Sequence, residues 1–517
     1  MKQNNYHIIL VFSVIVFMFG SCTKKFDSIN TDPDESTTST SAWLATSMIE
    51  SITSSDISSS KSFIKPFMLG KYVLWTEDQE SYQYNNLGRA DFSRLLVLSS
   101  VPSMISYAEE GTERNTYTAL GHFIRAWQFF QTTMQMGDIP YSQAIQGESD
   151  ENIQPTYDTQ KEVFYGILDE LDSANYLFSE GADFDGDFIY SGSVDQWRRL
   201  VNAFELHVLM TLSNKTSDDS LNVVTRFKDI VTNRPLMESY DDNFAVTYIN
   251  SNGFSYPWCN TSIQTNSSTA YPMLSTELID TLKVYEDRRL FYYAEPAEAL
   301  VDSGYSDSSW NAYVGVEPSD DYSVTVSAQT SGLFCNLNNR YVDLYNAEPV
   351  SLLSYWDQEF ILAEATVRGW ISGTEAQEYY ANGIQSSMNF LVNYASSDYV
   401  HGMDMTSSYI DSFPSSSSIK LSGGTDNMIR QIISQKYLAG FLNGCDFNAW
   451  YENRRTGYPA FTLNSSTNLN PNNTSAFPVR WMYPSDEYSY NSDNVEAAVA
   501  SQFGGTDDND QIMWILQ

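Results

Sequence analysis

Positive charge is scarce in this sequence: 28 Lys and Arg stand against 65 Asp and Glu, for a net charge of −37. A surface that tracks nucleic-acid phosphates needs the opposite sign, so the balance argues against nucleic-acid binding. Cysteine is sparse as well, limited to Cys22, Cys259, Cys335 and Cys445 with no CxxC spacing. The chain is therefore no disulfide scaffold, and its four scattered histidines (His7, His122, His207, His401) suggest no metal site. Catalytic signatures are missing: there is no GxSxG, HExxH or GxGxxG, and Gly70-Lys71 lacks the upstream glycine and the Ser/Thr of a phosphate loop. A glycosidase needs only two carboxylates, but nothing singles out a pair among so many acidic residues. The sequence reads as a binding protein and not an enzyme, with a weak hydrolase as the alternative. The apolar run 8–19 covers 12 residues, short of the ~20 that a membrane-spanning helix requires.

What is present begins with that run. Preceded by Lys2, it fits the apolar segment of a secretory signal. It ends in Phe19-Gly20-Ser21-Cys22, where small residues before a cysteine resemble a bacterial lipobox. The expected chemistry is a thioether to diacylglycerol on Cys22, cleavage before it, and acylation of the new amino terminus. Two or three acyl chains would hold the protein stably, since each buried methylene contributes about 0.8 kcal/mol. A plain signal peptide with an incidental cysteine is the competing reading. The predicted organisation is a signal at 1–21, a polar tether at 22–41 that carries Asp32-Pro33-Asp34, and one helical ligand-binding domain at 42–517. The tether would let the body stand up to about 60 Å from the membrane.

Within that domain, Leu120, Phe123, Ile124, Trp127, Phe130 and Met134 recur at helical spacing, and Gly137 and Pro140 then stop the helix. A second helix is expected in "YDTQKEVFYGILDELDSANYLF", with Asp158 or Thr159 as N-cap and an apolar stripe from Val163 to Leu171. "SVDQWRRLVNAFELHVLMTLSNK", "WDQEFILAEATVRGW", "TEAQEYYANGIQSSMNFLVNY" and "DNMIRQIISQKYLAGFLNG" supply further helices. Their succession is similar to tetratricopeptide helix pairs, without a strict 34-residue period. Residues 241–275 and 296–350 read as long loops with short β-like runs such as "YSVTVSA".

Aromatics make up 14% of the chain, and an exposed Trp or Tyr offers a flat face to a sugar and a polar handle beside it. Trp75, Tyr256, Trp258, Trp310 and Tyr313, all in loop-like stretches, are the candidate ligand contacts. "DFDGD" places Asp183, Asp185 and Asp187 at alternate positions that would suit calcium, but it lacks the remaining EF-hand positions and reads better as a polar loop. No other cofactor is expected. Arg454-Arg455 reads as a structural pair for carboxylates such as Glu359 or Glu364, and His122 and His207 as core or interhelix residues.

Several long stretches in order resemble one family. "FIRAWQFFQTTMQMGDIPYSQAIQG", "LLSYWDQEFILAEATVRGW", "QKYLAGFLNGCDFNAWYENRRTGYP", "PVRWMYPSDEYSYN" and the tail "GGTDDNDQIMWILQ" are similar to the SusD/RagB outer-membrane lipoproteins, in their SusD-like, starch-binding-associated branch. Arg288 and Cys445-Asp446-Phe447 depart from the family pattern at positions expected to be scaffold. The resemblance implies a mainly α fold of four tetratricopeptide-like helix pairs with long irregular loops and minor β. It also implies capture of an oligosaccharide, or in some relatives a peptide, at the cell surface of the outer membrane. The implied partner is a SusC-like TonB-dependent barrel; a solitary surface glycan binder is the alternative.

Overall fold

The computed structural model describes residues 40–55, 62–76, 81–147, 152–251, 253–259, 272–444 and 446–517. Cys22, the leader, most of the tether and Cys445 lie outside the described residues. The principal helices are α1 (Ser41–Thr53), α2 (Thr112–Met136), α3 (Gln160–Ser179), α4 (Val194–Thr211), α5 (Val223–Asn233), α6 (Thr276–Val284) and α7 (Tyr322–Ser331). They continue as α8 (Tyr355–Val367), α9 (Ala376–Tyr394), α10 (Thr425–Ala439), α11 (Asn448–Thr456) and α12 (Ser492–Phe503). The pairs α2/α3, α4/α5, α8/α9 and α10/α11 each pack together, and α4 meets α8 to join the halves. Among the described residues no helix is long and apolar enough to cross a membrane.

Local chemistry explains the helix ends. Thr159 caps α3 through a full capping box: its hydroxyl accepts from the Glu162 N–H, and the Glu162 carboxylate accepts from the Thr159 N–H at 2.9 Å. Asp158, the other expected cap, instead accepts from the backbone N–H groups of Tyr141 and Ser142 at 2.9 and 2.8 Å. Helix α2 stops at Gly137 with φ of 96°, where a Cβ would stand 2.4 Å from the Gln502 side chain. The run "YSVTVSA", read as β-like from its β-branched residues, is helix α7, closed by Gly332 in the left-handed region. Its helical setting overrides a weak local preference for strand.

Strand content is small. Strand β1 (Val73–Trp75) pairs antiparallel with β3 (Pro272–Leu274), and β2 (Phe244–Val246) pairs antiparallel with β4 (Val350–Leu353), with an irregularity at Phe244/Ala245. Two large apolar cores result. One gathers α1 to α5 with Trp450 and Trp481, the other gathers β1, α6, α8, α9 and α10. The carboxyl-terminal segment returns across the first: Trp481 N–H donates to Gln135 O at 2.9 Å, Ala90 N–H to Met482 O at 3.0 Å, and Ile515 N–H to the Gln160 side chain at 3.0 Å.

Candidate functional site

Helix α2 is buried on nearly every side from Thr116 to Met136, yet it carries Gln128, Gln131 and Gln135 at positions one turn apart. Gln135 donates to the Asp446 carboxylate at 3.2 Å, and Arg94 pairs with the same carboxylate at 3.2 Å. Gln131 is 2% exposed, and neither its amide nitrogen nor its amide oxygen has a hydrogen-bond partner. Gln128 and Gln131 form part of the wall of a cavity of about 360 Å³.

The rest of that wall comes from distant parts of the chain. The end of α1 and the residues after it bring Thr53, Ser54 and Ser55, and the segment before β1 brings Phe63 and Phe67. Strand β4 turns Val350 and Leu352 toward the cavity while Ser351 and Leu353 are buried, as strand alternation requires. Trp127 and Trp258 add indole surface, and the rim holds the Arg94–Asp446 pair, whose formal charges cancel. A second cavity of about 410 Å³ adjoins it and shares Thr53, Ser54, Ser55 and Pro257. Its wall is largely apolar, with Phe188, Ile249 and Phe254 about half exposed at its edge. Tyr248 lines it too, and burial pushes its hydroxyl up to about 12, so it stays a neutral donor.

The structure redistributes the five aromatic candidates. Trp75 in β1 is fully buried by the pairing with β3, and its backbone N–H donates to the Gln83 side-chain oxygen at 2.9 Å. Tyr256 is fully buried against Tyr341. Tyr313 is fully buried against Phe291, and its hydroxyl donates to Asp307 O at 2.9 Å. As placed, these three have no face to offer a ligand; segments that look like surface loops are packed into the second core. Trp310 is half-buried beside Phe291 at 4.7 Å. Trp258 sits edge-on to Phe63 and Phe67, at 5.1 and 5.9 Å, and is the one of the five in the cavity walls just described.

Arg455, His122 and His207, read from the sequence as scaffold, pair with carboxylates of neighbouring helices or loops. Arg455 pairs with Glu364 and Glu452, each at 2.6 Å. Although burial works against it, Arg455 holds the Glu364 carboxyl below its ordinary range. Glu359 instead accepts from Asn382 at 3.0 Å, and burial pushes its carboxyl up to about 7. Among the described residues Arg454 meets carbonyls and not carboxylates: it donates to Val479 O and Met134 O at 2.6 and 3.0 Å and lies over Trp450. His207 on α4 faces Asp357 on α8 at 3.3 Å, and His122 on α2 meets Glu170 on α3. In "DFDGD", Asp187 accepts from the N–H groups of Ile189, Tyr190 and Gly192 and from the Trp197 indole. Gly186 passes so close to α1 that a Cβ would stand 2.1 Å from Ala42 O.

Asp446, expected to be scaffold, is on the cavity wall, as are Arg94, Gln128 and Gln131, which the sequence reading did not single out. The usable signal was the three glutamines at helical spacing among the large apolar residues of the second half of α2.

Comparison with known proteins agrees with this architecture. A SusD-like family model, described as starch-binding and associating with the outer membrane, matches residues 33–484. A SusD homologue of Bacteroides fragilis is 42% identical, with a TM-score of 0.88, covering 93% of this chain and 100% of its own. A Bacteroides vulgatus protein, whose description ties it to the outer membrane and nutrient binding, is 34% identical with a TM-score of 0.82 over 93% and 100% of the two chains. A chitin-binding SusD homologue of Flavobacterium johnsoniae, 20% identical with a TM-score of 0.69 over 92% and 97%, shares the fold. No protein of curated function matches the chain. The matched model covers most of the chain, and the chain belongs to the SusD-like family of outer-membrane nutrient-binding proteins.

Proposed function

We propose that the protein is a lipid-anchored, surface-exposed outer-membrane protein that captures an oligosaccharide and passes it to a SusC-like TonB-dependent barrel. In this reading Cys22 carries the acyl chains, residues 22–41 form the tether, and residues 42–517 form one binding domain. The observation that carries the capture step is the pair of adjoining cavities, about 360 and 410 Å³, walled by Trp127, Trp258, Phe63, Phe67 and hydroxyl- and amide-bearing side chains. Concave sites of this size and mixed lining suit small uncharged ligands. The family description as starch-binding, and a relative's chitin binding, support a glycan over other neutral ligands.

Calorimetric titration of the soluble body with maltoheptaose, chitohexaose and a neutral hexapeptide tests the ligand class. Saturable binding of a glycan supports the reading, and binding of the peptide alone replaces it with peptide capture. Purification of the tagged lipoprotein from detergent-solubilised outer membranes tests delivery. A co-purifying large barrel in equal amount is expected; its absence with Cys22 acylated would leave a solitary surface binder.

A further inference from the structure

We infer that Gln131 is the group that selects the ligand, by pairing its amide N–H and C=O with two neighbouring hydroxyls of a neutral sugar. This deepens the function proposed above and rests on it. A buried carboxamide that makes no hydrogen bond costs free energy unless something else satisfies it. The burial of Gln131, its lack of any partner, and its place in the cavity wall therefore point to a ligand as the missing partner. Gln135, one turn further along the same face, shows the contrast: its amide is already used by Asp446.

The chemistry of the carboxamide narrows the ligand. Gln131 offers a donor and an acceptor side by side. A carboxylate or phosphate, acceptor only, would leave its oxygen unmatched, and an ammonium, donor only, would leave its nitrogen unmatched. Adjacent hydroxyls satisfy both at once, because each can donate or accept. Among the described residues the charged side chains in this cavity wall are Arg94 and Asp446, which pair with each other at 3.2 Å, so the described wall holds no net charge for an ionic ligand. The hydroxyls of Ser54 and Ser55 in the same wall add further partners for a sugar's hydroxyls.

The test compares Gln131→Met and Gln131→Glu with the unaltered protein, titrated with maltoheptaose and chitohexaose. Gln131→Met keeps length and removes both polar atoms, so it should melt at or above the original temperature and lose about ten- to a hundredfold in affinity for the glycan that binds. Gln131→Glu is acceptor-only when ionised but carries a donor and an acceptor when protonated. Its affinity should be weak at pH 8 and recover as the pH falls, a signature that a merely structural residue would not give. Undiminished binding by folded Gln131→Met overturns the assignment of Gln131 while leaving glycan capture intact. Failure of the unaltered protein to bind either glycan overturns both. Weakened binding by both variants at every pH, with lowered melting temperatures, overturns the ligand role in favour of a structural one.

Discussion

Helices α2 and α8 are both enclosed by other elements and both carry buried polar side chains, yet they treat them differently. On α8 every such group is matched. Asp357 meets Lys436 at 3.0 Å, Gln358 exchanges two hydrogen bonds with the Met237 backbone, Glu359 has Asn382, and Glu364 has Arg455 and Arg368. On α2, Gln131 is left unmatched beside a cavity. A matched buried polar group fixes how elements pack, whereas an unmatched one is a standing cost that a ligand can relieve. The contrast between these two helices lies in the partners of their polar groups and not in residue type, since both carry buried glutamines.

The largest effect expected from attacking the matched side is that of Arg455→Ala. It leaves the buried Glu364 carboxylate with Arg368 alone and the buried Glu452 carboxylate with Lys436 alone, and should cost about 3 kcal/mol in denaturant unfolding. A loss below about 1 kcal/mol would break the distinction, because the α8 charges would then be as dispensable as surface pairs. Trp75→Ala, which empties a space between β1 and its core, should cost a similar ~3–5 kcal/mol. At temperatures where that variant stays folded, its glycan affinity should equal that of the unaltered protein; a fall would return Trp75 to the site.

Glu359 gives a pH-dependent test of the same helix. Folded Glu359 keeps its proton up to about 7, against an ordinary value of 4.5, because burial penalises its ionised form. Between those values the folded state binds more protons than the unfolded state. Its contribution is therefore complete below about pH 4.5 and is lost as the pH rises through about 7. Glu359→Gln keeps the Asn382 contact and should flatten this decline by up to about 3 kcal/mol, measured as unfolding free energy at pH 5 and pH 8. An unchanged slope would show that Glu359 is ionised in the fold. The smallest effect belongs to a helix end remote from either side of the comparison: Thr159→Ala should cost about 1 kcal/mol through loss of the capping box, with affinity unchanged.

The sequence shows the helices well where period and punctuation agree. The α2 stripe ending at Gly137 and the Thr159 cap of α3 are legible because each is decided within a few residues. Helix α7 is not, since its alternating β-branched residues argue for a strand and only its surroundings decide otherwise. The site is harder still. Trp75, Tyr256 and Tyr313 sit in stretches of polar, loop-like composition, and what buries them is pairing or packing with residues far along the chain, such as Pro272, Tyr345 and Phe291. Gln131 is hidden for the opposite reason. A glutamine on a helix resembles an ordinary surface residue until the contacts around it are known.

The returning carboxyl-terminal segment sets the order in which the molecule can assemble. The backbone N–H of its Trp481 donates to Gln135 O on α2, the helix that brings Gln128 and Gln131 to the cavity wall. Until the tail arrives α2 can pack on α1, α3 and α4 but lacks the cover of Trp481, so that part of its apolar surface is a target for chaperones or for aggregation. Contacts spanning hundreds of residues also make folding slow. A chain cut short before Trp481 would thus leave that side of α2 uncovered, and the last stretch of the sequence completes the first core.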